Sequence, residues 1–416
     1  MAGSDDPQAP RSYLLGLTDA GGTVPPELGV ARRLATRGHR VAVIGDRSMA
    51  DATARAGAAF TAWSRPAVEV RDWAARSPGR LVRELAETMI IGPAPSQADD
   101  LAAAIAAEPP DVVLTSSFAV GAMIAAEAAG VPYGVLIPNI YPLGAEGIPP
   151  FGAGLRPARG RAGRIRDRSL TAASRRMFDR RALGGLNRVR SAHGLDPVAT
   201  FWQQLLRAER LLILTSAAFD LPGALPAHAR YVGPVLDDPA WAGAAAWLPP
   251  AGDEPLVLVA MSSTFQDHAE CLQRVIDALA TLPVRAVVTT GPAIDPASLR
   301  GASRVSVVRA APHADAMRDA SLVVTHGGHG TVVKALAAGC PLLLLPHGRD
   351  QADNAVRVVL RGAGRTISRR ASSRRIAAAA AALLQDAGAA AAARRLGTAI
   401  VRDASGPALV DELESM

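Results

Sequence analysis

An apolar run, Leu322-Val323-Val324-Thr325, stops at a histidine, and the chain then reads His326-Gly327-Gly328-His329-Gly330-Thr331 before a helical pattern begins. A second apolar run, PLLLLP, leads a few residues later to Asp350 and Gln351. Glycines between a strand and a helix let the backbone approach an anion closely, and the free amides and dipole of the helix end favour negative charge. Thr331 adds a hydroxyl and His326 an N–H donor for an oxyanion. The stretch therefore predicts a phosphate cradle, with an ordinary tight turn as the competing reading. It is not the G-x-G-x-x-G dinucleotide fingerprint, nor a phosphate loop ending in Gly-Lys-Ser/Thr. A metal is not expected at His326, His329, His347 and Asp350, because His-x-x-His suits one helix face poorly and no cysteine stands nearby in sequence.

These residues need elements to carry them. The first half opens with YLLGLTDAGG, an apolar strand running into Gly21-Gly22. A helix follows, with Thr23 as its expected N-cap, Pro25 and Pro26 in the first turn and Leu28, Ala31 and Leu34 as its stripe. Gly38 ends that helix, His39 reads as a turn residue, and VAVIGD is the next strand. The rhythm recurs at PDVVLTSSF, a helix over 119–129 and GVPYGVLIPN, and again after residue 250 at LVLVAMSST, RAVVTTGP, RVSVVRAAP, LVVTHGG and PLLLLPHG. Alternating strands and helices imply parallel sheets.

The expected fold class is α/β: two facing Rossmann-like doubly wound domains with a cleft between them. The expected divisions are an N-terminal domain over 1–215, a Pro/Gly/Ala-rich linker over 216–250 with Trp241 and Trp247 as packing residues, a C-terminal domain over 251–395, and a tail over 396–416 returning to the first domain. An Ala-rich helix is expected over 373–393. Such sheets bind ligands beyond the carboxyl ends of their strands. The polar clusters gather there: Thr18-Asp19, Ser116-Ser117, Ser262 to Thr264, Thr289 to Gly291, Pro312-His313, His326 to Thr331 and Asp350-Gln351.

The 416 residues suit two cores, and no apolar run approaches the ~18 residues of a membrane span. The net charge of +7 comes almost wholly from arginine, since Lys334 is the one lysine. With aromatics at 4%, base-stacking surfaces are scarce and no nucleic-acid partner is expected. The basic run over 156–181 reads as a solvated helix face, with an anionic partner as the alternative. Cys271 and Cys340 are the only cysteines, the N-terminus is acidic and polar, and a reducing cytoplasm is the expected setting.

The stretch THGGHGTVVKALAAGCPLLLLPHGRDQADNAVRV resembles the donor-binding signature of bacterial natural-product glycosyltransferases, the macrolide-type branch of glycosyltransferase family 1 with the GT-B fold. GGTVPPELGVARRLATRGHRV resembles the family's first loop and helix, PDVVLTSSFAVGAMIAAEAAGVP its acceptor-domain strand and helix, and MSSTF, VVTTGP and APH its donor-domain loops. The resemblance implies an inverting, metal-independent transfer of a hexose from a nucleotide diphosphate sugar, which is a co-substrate, with no cofactor. It places His326, Gly328, Gly330 and Thr331 on the pyrophosphate, Thr264, Gly291 and His313 on the phosphate and base side, and Asp350 and Gln351 on sugar hydroxyls.

Two positions depart from the family pattern. Lys334 stands where many relatives carry a glutamate near the ribose, which favours a dTDP-linked donor and a deoxysugar. Thr23 and Ser116 stand where relatives carry a catalytic histidine and the aspartate that orients it. Asp19, the carboxylate at the end of the first strand, is then the expected base, unless it only binds amides of its own turn. Thr23 would cap the helix or touch the acceptor. Ser116, with Tyr141 and Phe151 of the 139–154 loop, would line a site for a small apolar aglycone, an ordinary surface loop being the competing reading. A homodimer is compatible with the sequence, and stable membrane insertion is not expected. The alternative function is a non-catalytic nucleotide-sugar-binding auxiliary protein of a glycosyltransferase pair.

Overall fold

The computed structural model describes residues 9–416 except 67, 69–71, 75–76, 239–247, 262–263 and 265. One sheet contains β1 (Ser12–Gly16), β2 (Arg40–Gly45), β3 (Ala59–Ala62), β4 (Val112–Ser116), β5 (Tyr133–Ile137), β6 (Arg210–Ile213) and β7 (Ala229–Tyr231) in the order β3-β2-β1-β4-β5-β6-β7. The other contains β8 (Leu256–Ala260), β9 (Arg285–Thr289), β10 (Val305–Val308), β11 (Ala320–Thr325), β12 (Leu342–Leu344) and β13 (Gly364–Thr366) in the order β10-β9-β8-β11-β12-β13. The pairings are parallel in both. Strands such as β1, β4, β5 and β8 are buried along their whole length because helices cover both sheet faces. Strand order reverses between β1 and β4 and between β8 and β11, which opens a crevice at the carboxyl end of each sheet. The loop with Asp19 and the end of β4 with Ser116 meet at the first reversal, and His326 follows β11 at the second.

Two boundaries and one cap differ from expectation. Residues 216–250 are not all linker, because β7 lies within them as the edge strand of the first sheet. A three-residue strand set among prolines leaves no alternation to recognise. The Ala-rich segment is two helices, Ser373–Leu384 and Ala387–Ser405, since the carboxylate of Asp386 accepts the amide of Ala389 at 3.0 Å and starts a new helix. Thr23 is the N-cap residue of the Val24–Thr36 helix by position, yet its side chain makes no capping bond. Trp241 and Trp247 lie outside the described residues.

The basic run forms part of a helix of 33 residues, Gly160–Ala192, whose first half is largely exposed, Ile165 and Leu170 included. No single described helix is long and apolar enough to cross a membrane; one pair, bent by 71° between Leu384 and Ala387, passes by length and composition only. The bent pair turns Ile376, Leu383, Leu396 and Ile400 into the second domain's core. Cys271 and Cys340 are buried and free.

The tail crosses back. In the helix Ala408–Glu414, Leu409 and Leu413 enter the first domain's core. Glu414 accepts bonds from Arg37 at 3.0 Å and pairs with His39 at 2.9 Å, while Glu412 takes Arg210 at 2.9 Å and Arg230 at 3.1 Å. His39 is therefore an anchor for this helix. Further ties join the domains directly. Arg357, in the helix Gln351–Leu360, grips Asp220 at 2.7 Å, and Asp353 of that helix accepts the amides of Gly152 and Gly154. Ser216 donates to Asp403 at 2.6 Å.

Candidate active site

The second domain's part of the candidate site begins where β11 ends. Gly327 has φ +97°, a region that suits glycine. A Cβ at residue 328 would stand 2.6 Å from Nε2 of His326, so that ring leaves no room for any side chain there. A Cβ at residue 330 would meet nothing within 4 Å, so its bareness faces open space above the first turn of His329–Ala337. Thr331 is on the same turn. His326 is 7% exposed, its Nδ1 3.3 Å from Oγ1 of Thr325. Burial, reinforced by the nearby His347, His268 and Arg349 charges, depresses its pKa to about 3, so its ring is neutral. It can donate or accept a hydrogen bond but brings no positive charge.

The neighbouring loops converge on this turn. Gly291 follows β9 with φ +66°, and its amide bonds the carbonyl of Arg309. His313 begins the helix His313–Asp319 and contacts Oγ1 of Thr289 through Nε2 at 3.1 Å, with burial depressing its pKa to about 4. Thr264 accepts from Arg349 at 3.2 Å, while Ser262 and Ser263 lie outside the described residues. Arg349 itself has φ +55°, an unusual conformation outside glycine that gathers at functional turns.

The Asp-Gln pair divides. Asp350 is half-buried, and its Oδ2 takes a bond from the side-chain amide of Asn354. Gln351 is 1% exposed and its side chain is engaged within the loop. Its Oε1 accepts the amides of His347 at 2.7 Å and Gly348 at 3.1 Å, and its Nε2 donates to Oε1 of Gln266 at 2.8 Å. It staples the loop that presents Asp350. Lys334 turns away from the turn toward the interdomain segment, with Nζ bonded to the Asp237 carbonyl and 2.7 Å from Oδ1 of Asp238.

At the crevice of the first domain Asp19 is held by its own turn and by Ser48. Oδ1 accepts the amide of Gly21 at 2.9 Å and Oδ2 the hydroxyl of Ser48 at 2.6 Å. Of the expected acceptor residues, Phe151 is 40% exposed, whereas Ser116 and Tyr141 are buried and form no surface. The amide of Tyr141 donates to Asp220 at 3.0 Å, and burial raises its phenol to about 12. A narrow crevice lies between Tyr141, Phe151, Ile148 and the Asp353–Arg357 side of the second domain.

Sequence reading missed three features. A cavity of about 190 Å³ opens at the ends of β2 and β3 among Asp46, Arg47, Ser48, Trp63, Arg65 and Pro66. It adjoins the Asp19 turn, because Asp46 accepts the amide of Asp19 at 2.7 Å. Glu27 is fully buried beneath the same crevice, and its carboxyl accepts from Oγ of Ser116 at 2.9 Å. Burial pushes its pKa well above the usual carboxylate range, against the Ser116 bond and with the repulsion of Asp19. Finally, Asp353 turned the 139–154 loop into an interdomain strap. Each of these acids reads in sequence as a helix-surface residue, and only packing distinguishes them. Among the described residues, no group of three or more His, Cys, Asp or Glu is placed to hold a metal ion.

Residues 273–416 match the family described as erythromycin biosynthesis protein CIII-like, C-terminal domain. The chain is 29% identical over 388 residues to 4'-demethylrebeccamycin synthase of Lentzea aerocolonigenes, covering 86% of this chain and 87% of that one. Among solved structures, the calicheamicin glycosyltransferase CalG4 superposes with a TM-score of 0.75 at 23% identity, covering 98% of each chain. The spinosyn rhamnosyltransferase SpnG, solved with thymidine diphosphate, superposes with a TM-score of 0.68 at 20% identity, covering 97% of this chain and 100% of that one.

Proposed function

We propose, from the premise that this chain is a GT-B glycosyltransferase of the antibiotic-biosynthesis type, that it moves a sugar, a deoxysugar in the first instance, from a dTDP-linked donor to a small apolar secondary-metabolite acceptor. The observation that carries the reading is the bare turn at Gly327-Gly328, kept free of side chains by the ring of His326 at the start of a helix. Backbone amides there would take the pyrophosphate and stabilise the charge that develops on the leaving diphosphate. Nε2 of His326 and the hydroxyl of Thr331 would join them, with Thr264, Gly291 and His313 on the phosphate and base side. Asp350 would receive sugar hydroxyls, and Gln351 would act by holding the Asp350 loop.

The choice of dTDP rests on Lys334. Its ammonium is engaged by Asp238, whose other oxygen accepts the amide of Ala314 at 3.1 Å, so this helix offers no free carboxylate for a ribose 2′-hydroxyl. The thymidine diphosphate in the spinosyn rhamnosyltransferase structure fits the same choice. The acceptor would enter between Phe151 and the Trp63 cavity, over the Asp19 turn.

The test is calorimetry of dTDP and UDP on the wild type and His326→Ala, with mass spectrometry of dTDP- and UDP-sugars incubated with acceptor candidates. Loss of one hydrogen bond to a charged group should cost roughly 1.5–3 kcal/mol of nucleotide affinity. Equal affinity in both proteins would remove His326 from the site, and tighter UDP than dTDP binding would overturn the donor assignment.

A further inference from the structure

One buried side chain bonds both the glycine-rich turn and the Asp350 loop. Asn354 lies in the helix Gln351–Leu360 and is 0% exposed. Its Nδ2 donates to the carbonyl of Gly327 at 2.9 Å and to Oδ2 of Asp350. An amide nitrogen carries two protons, and each has one of these acceptors. A backbone carbonyl only accepts, so the nitrogen of the side chain, and not its oxygen, must face Gly327. Oδ1 of Asn354 is buried with no hydrogen-bond partner among the described residues. A bare buried oxygen is costly, so the two donor bonds are what an asparagine contributes here over an apolar residue. The peptide held on one side is the one between Gly327 and Gly328. Two glycines flank it, so it can flip unless something fixes it. In a planar trans peptide the carbonyl and the next amide point opposite ways. The bond from Asn354 therefore turns the Gly328 amide away from the helix Gln351–Leu360, and among the described residues that amide donates to no acceptor. On the other side, Asp350 is the N-cap residue by position but makes no capping bond. The Asn354 amide is the one donor that its carboxylate has among the described residues.

We propose that Asn354 is a positioning residue for the donor, one amide proton setting the Gly328 amide for the diphosphate and the other setting the Asp350 carboxylate for the sugar. This rests on the transferase reading. Asn354 is sealed and touches no ligand; it acts through Gly327 and Asp350. Because both protons sit on one nitrogen, a single planar amide fixes the two ligand groups relative to each other. The diphosphate and the sugar are then met in one register, and loss of the amide frees both groups at once.

The experiment measures dTDP and dTDP-glucose affinity by titration calorimetry, with Tm alongside, for wild type, Asn354→Ala, Asn354→Ser, Asp350→Ala and Val358→Ala. Val358 is the control for packing: it is 0% exposed on the same helix, and its truncation leaves a cavity without removing either bond. Asn354→Ala is expected to weaken dTDP at least tenfold and dTDP-glucose by more, while Val358→Ala keeps both within twofold. Asp350→Ala breaks only the second bond, so it should weaken dTDP-glucose at least fivefold and keep dTDP within twofold. Asn354→Ser keeps one donor proton and should show one of these losses without the other; it also carries the test if Asn354→Ala does not fold. Wild-type affinity for both ligands in Asn354→Ala or in Asn354→Ser overturns the proposal. Equal losses in Asn354→Ala and Val358→Ala overturn it too, since packing alone would explain them, and a tenfold dTDP loss in Asp350→Ala ends the division between the two protons. Failure of the wild type to bind dTDP would instead overturn the transferase reading itself.

Discussion

Replacing Arg357 with leucine should destabilise the protein sharply, and the size of the effect can be worked from Asp220. That carboxylate sits in the connection between β6 and β7, and both side chains are sealed, at 4% and 0% exposure. Oδ1 takes Nε of Arg357 at 2.8 Å and the amide of Leu221 at 2.7 Å; Oδ2 takes the amide of Tyr141 and the hydroxyl of Tyr231, each at 3.0 Å. Removing one member of a buried pair costs about 3–5 kcal/mol, because the other is left charged and unpaired. Three neutral donors stay on Asp220, and Arg361 stays on its carbonyl, which argues for the lower end, about 3 kcal/mol. At 2–4 °C per kcal/mol for domains of this size, Tm should fall by roughly 6–12 °C. Scanning calorimetry of Arg357→Leu, Asp220→Asn and the double variant decides the matter. The double variant should regain at least about 1 kcal/mol over the sum of the singles, since neither charge then remains. A Tm loss below about 2 °C in Arg357→Leu, or strict additivity, would refute the claim that this pair is sealed between the domains.

Other expectations follow from single contacts. Asp353→Ala should free the 148–155 loop from the second domain, raising acceptor KM and protease sensitivity while dTDP affinity stays unchanged; two amide bonds to a carboxylate are lost, at roughly 1.5–3 kcal/mol each. Gly330→Ala should leave Tm unaltered, because its Cβ meets nothing in the free protein, yet weaken dTDP binding at least tenfold if the diphosphate lies on this turn. Equal dTDP affinity in Gly330→Ala would move the ligand elsewhere. Glu414 has a pKa below the ordinary range, since the bonds from His39 and Arg37 outweigh burial. A depressed carboxylate lends stability above its unfolded pKa and loses it as pH falls through the folded value, so Glu414→Gln should cost less than about 1 kcal/mol at pH 7 and nothing measurable at pH 3 by urea titration.

The sheets were readable because a parallel strand buried on both faces is an unbroken apolar run, as in LVLVA and YLLGL, and because glycine and polar residues mark where each run stops. The glycine-rich turn after β11 was readable for the same reason, since its glycines are local. The failures are non-local. Gln351 looks like a ligand group in sequence, yet its amide is consumed partly by Gln266, on a loop far earlier in the chain. Thr23 carries a capping residue type but lies in helical geometry, which turns its hydroxyl away from the free amides. Glu27 follows two prolines in a first helical turn, where acids ordinarily sit in water beside the helix dipole. Its burial is dictated by Ser116 on β4, which nothing in the local pattern announces.

The helix Ala408–Glu414 also sets an order of assembly. The first domain is synthesised first but closes last. Until residues 408–416 leave the ribosome, Arg37, Arg210 and Arg230 lack the acids they pair with, and the core positions taken by Leu409 and Leu413 stand open. The whole second domain is made in that interval, so the first must wait as an incomplete, apolar-edged intermediate of the kind that chaperones hold. A bulky fusion placed after Met416, whose side chain packs against Gly134 of β5, would accordingly burden the first domain and leave the second almost untouched.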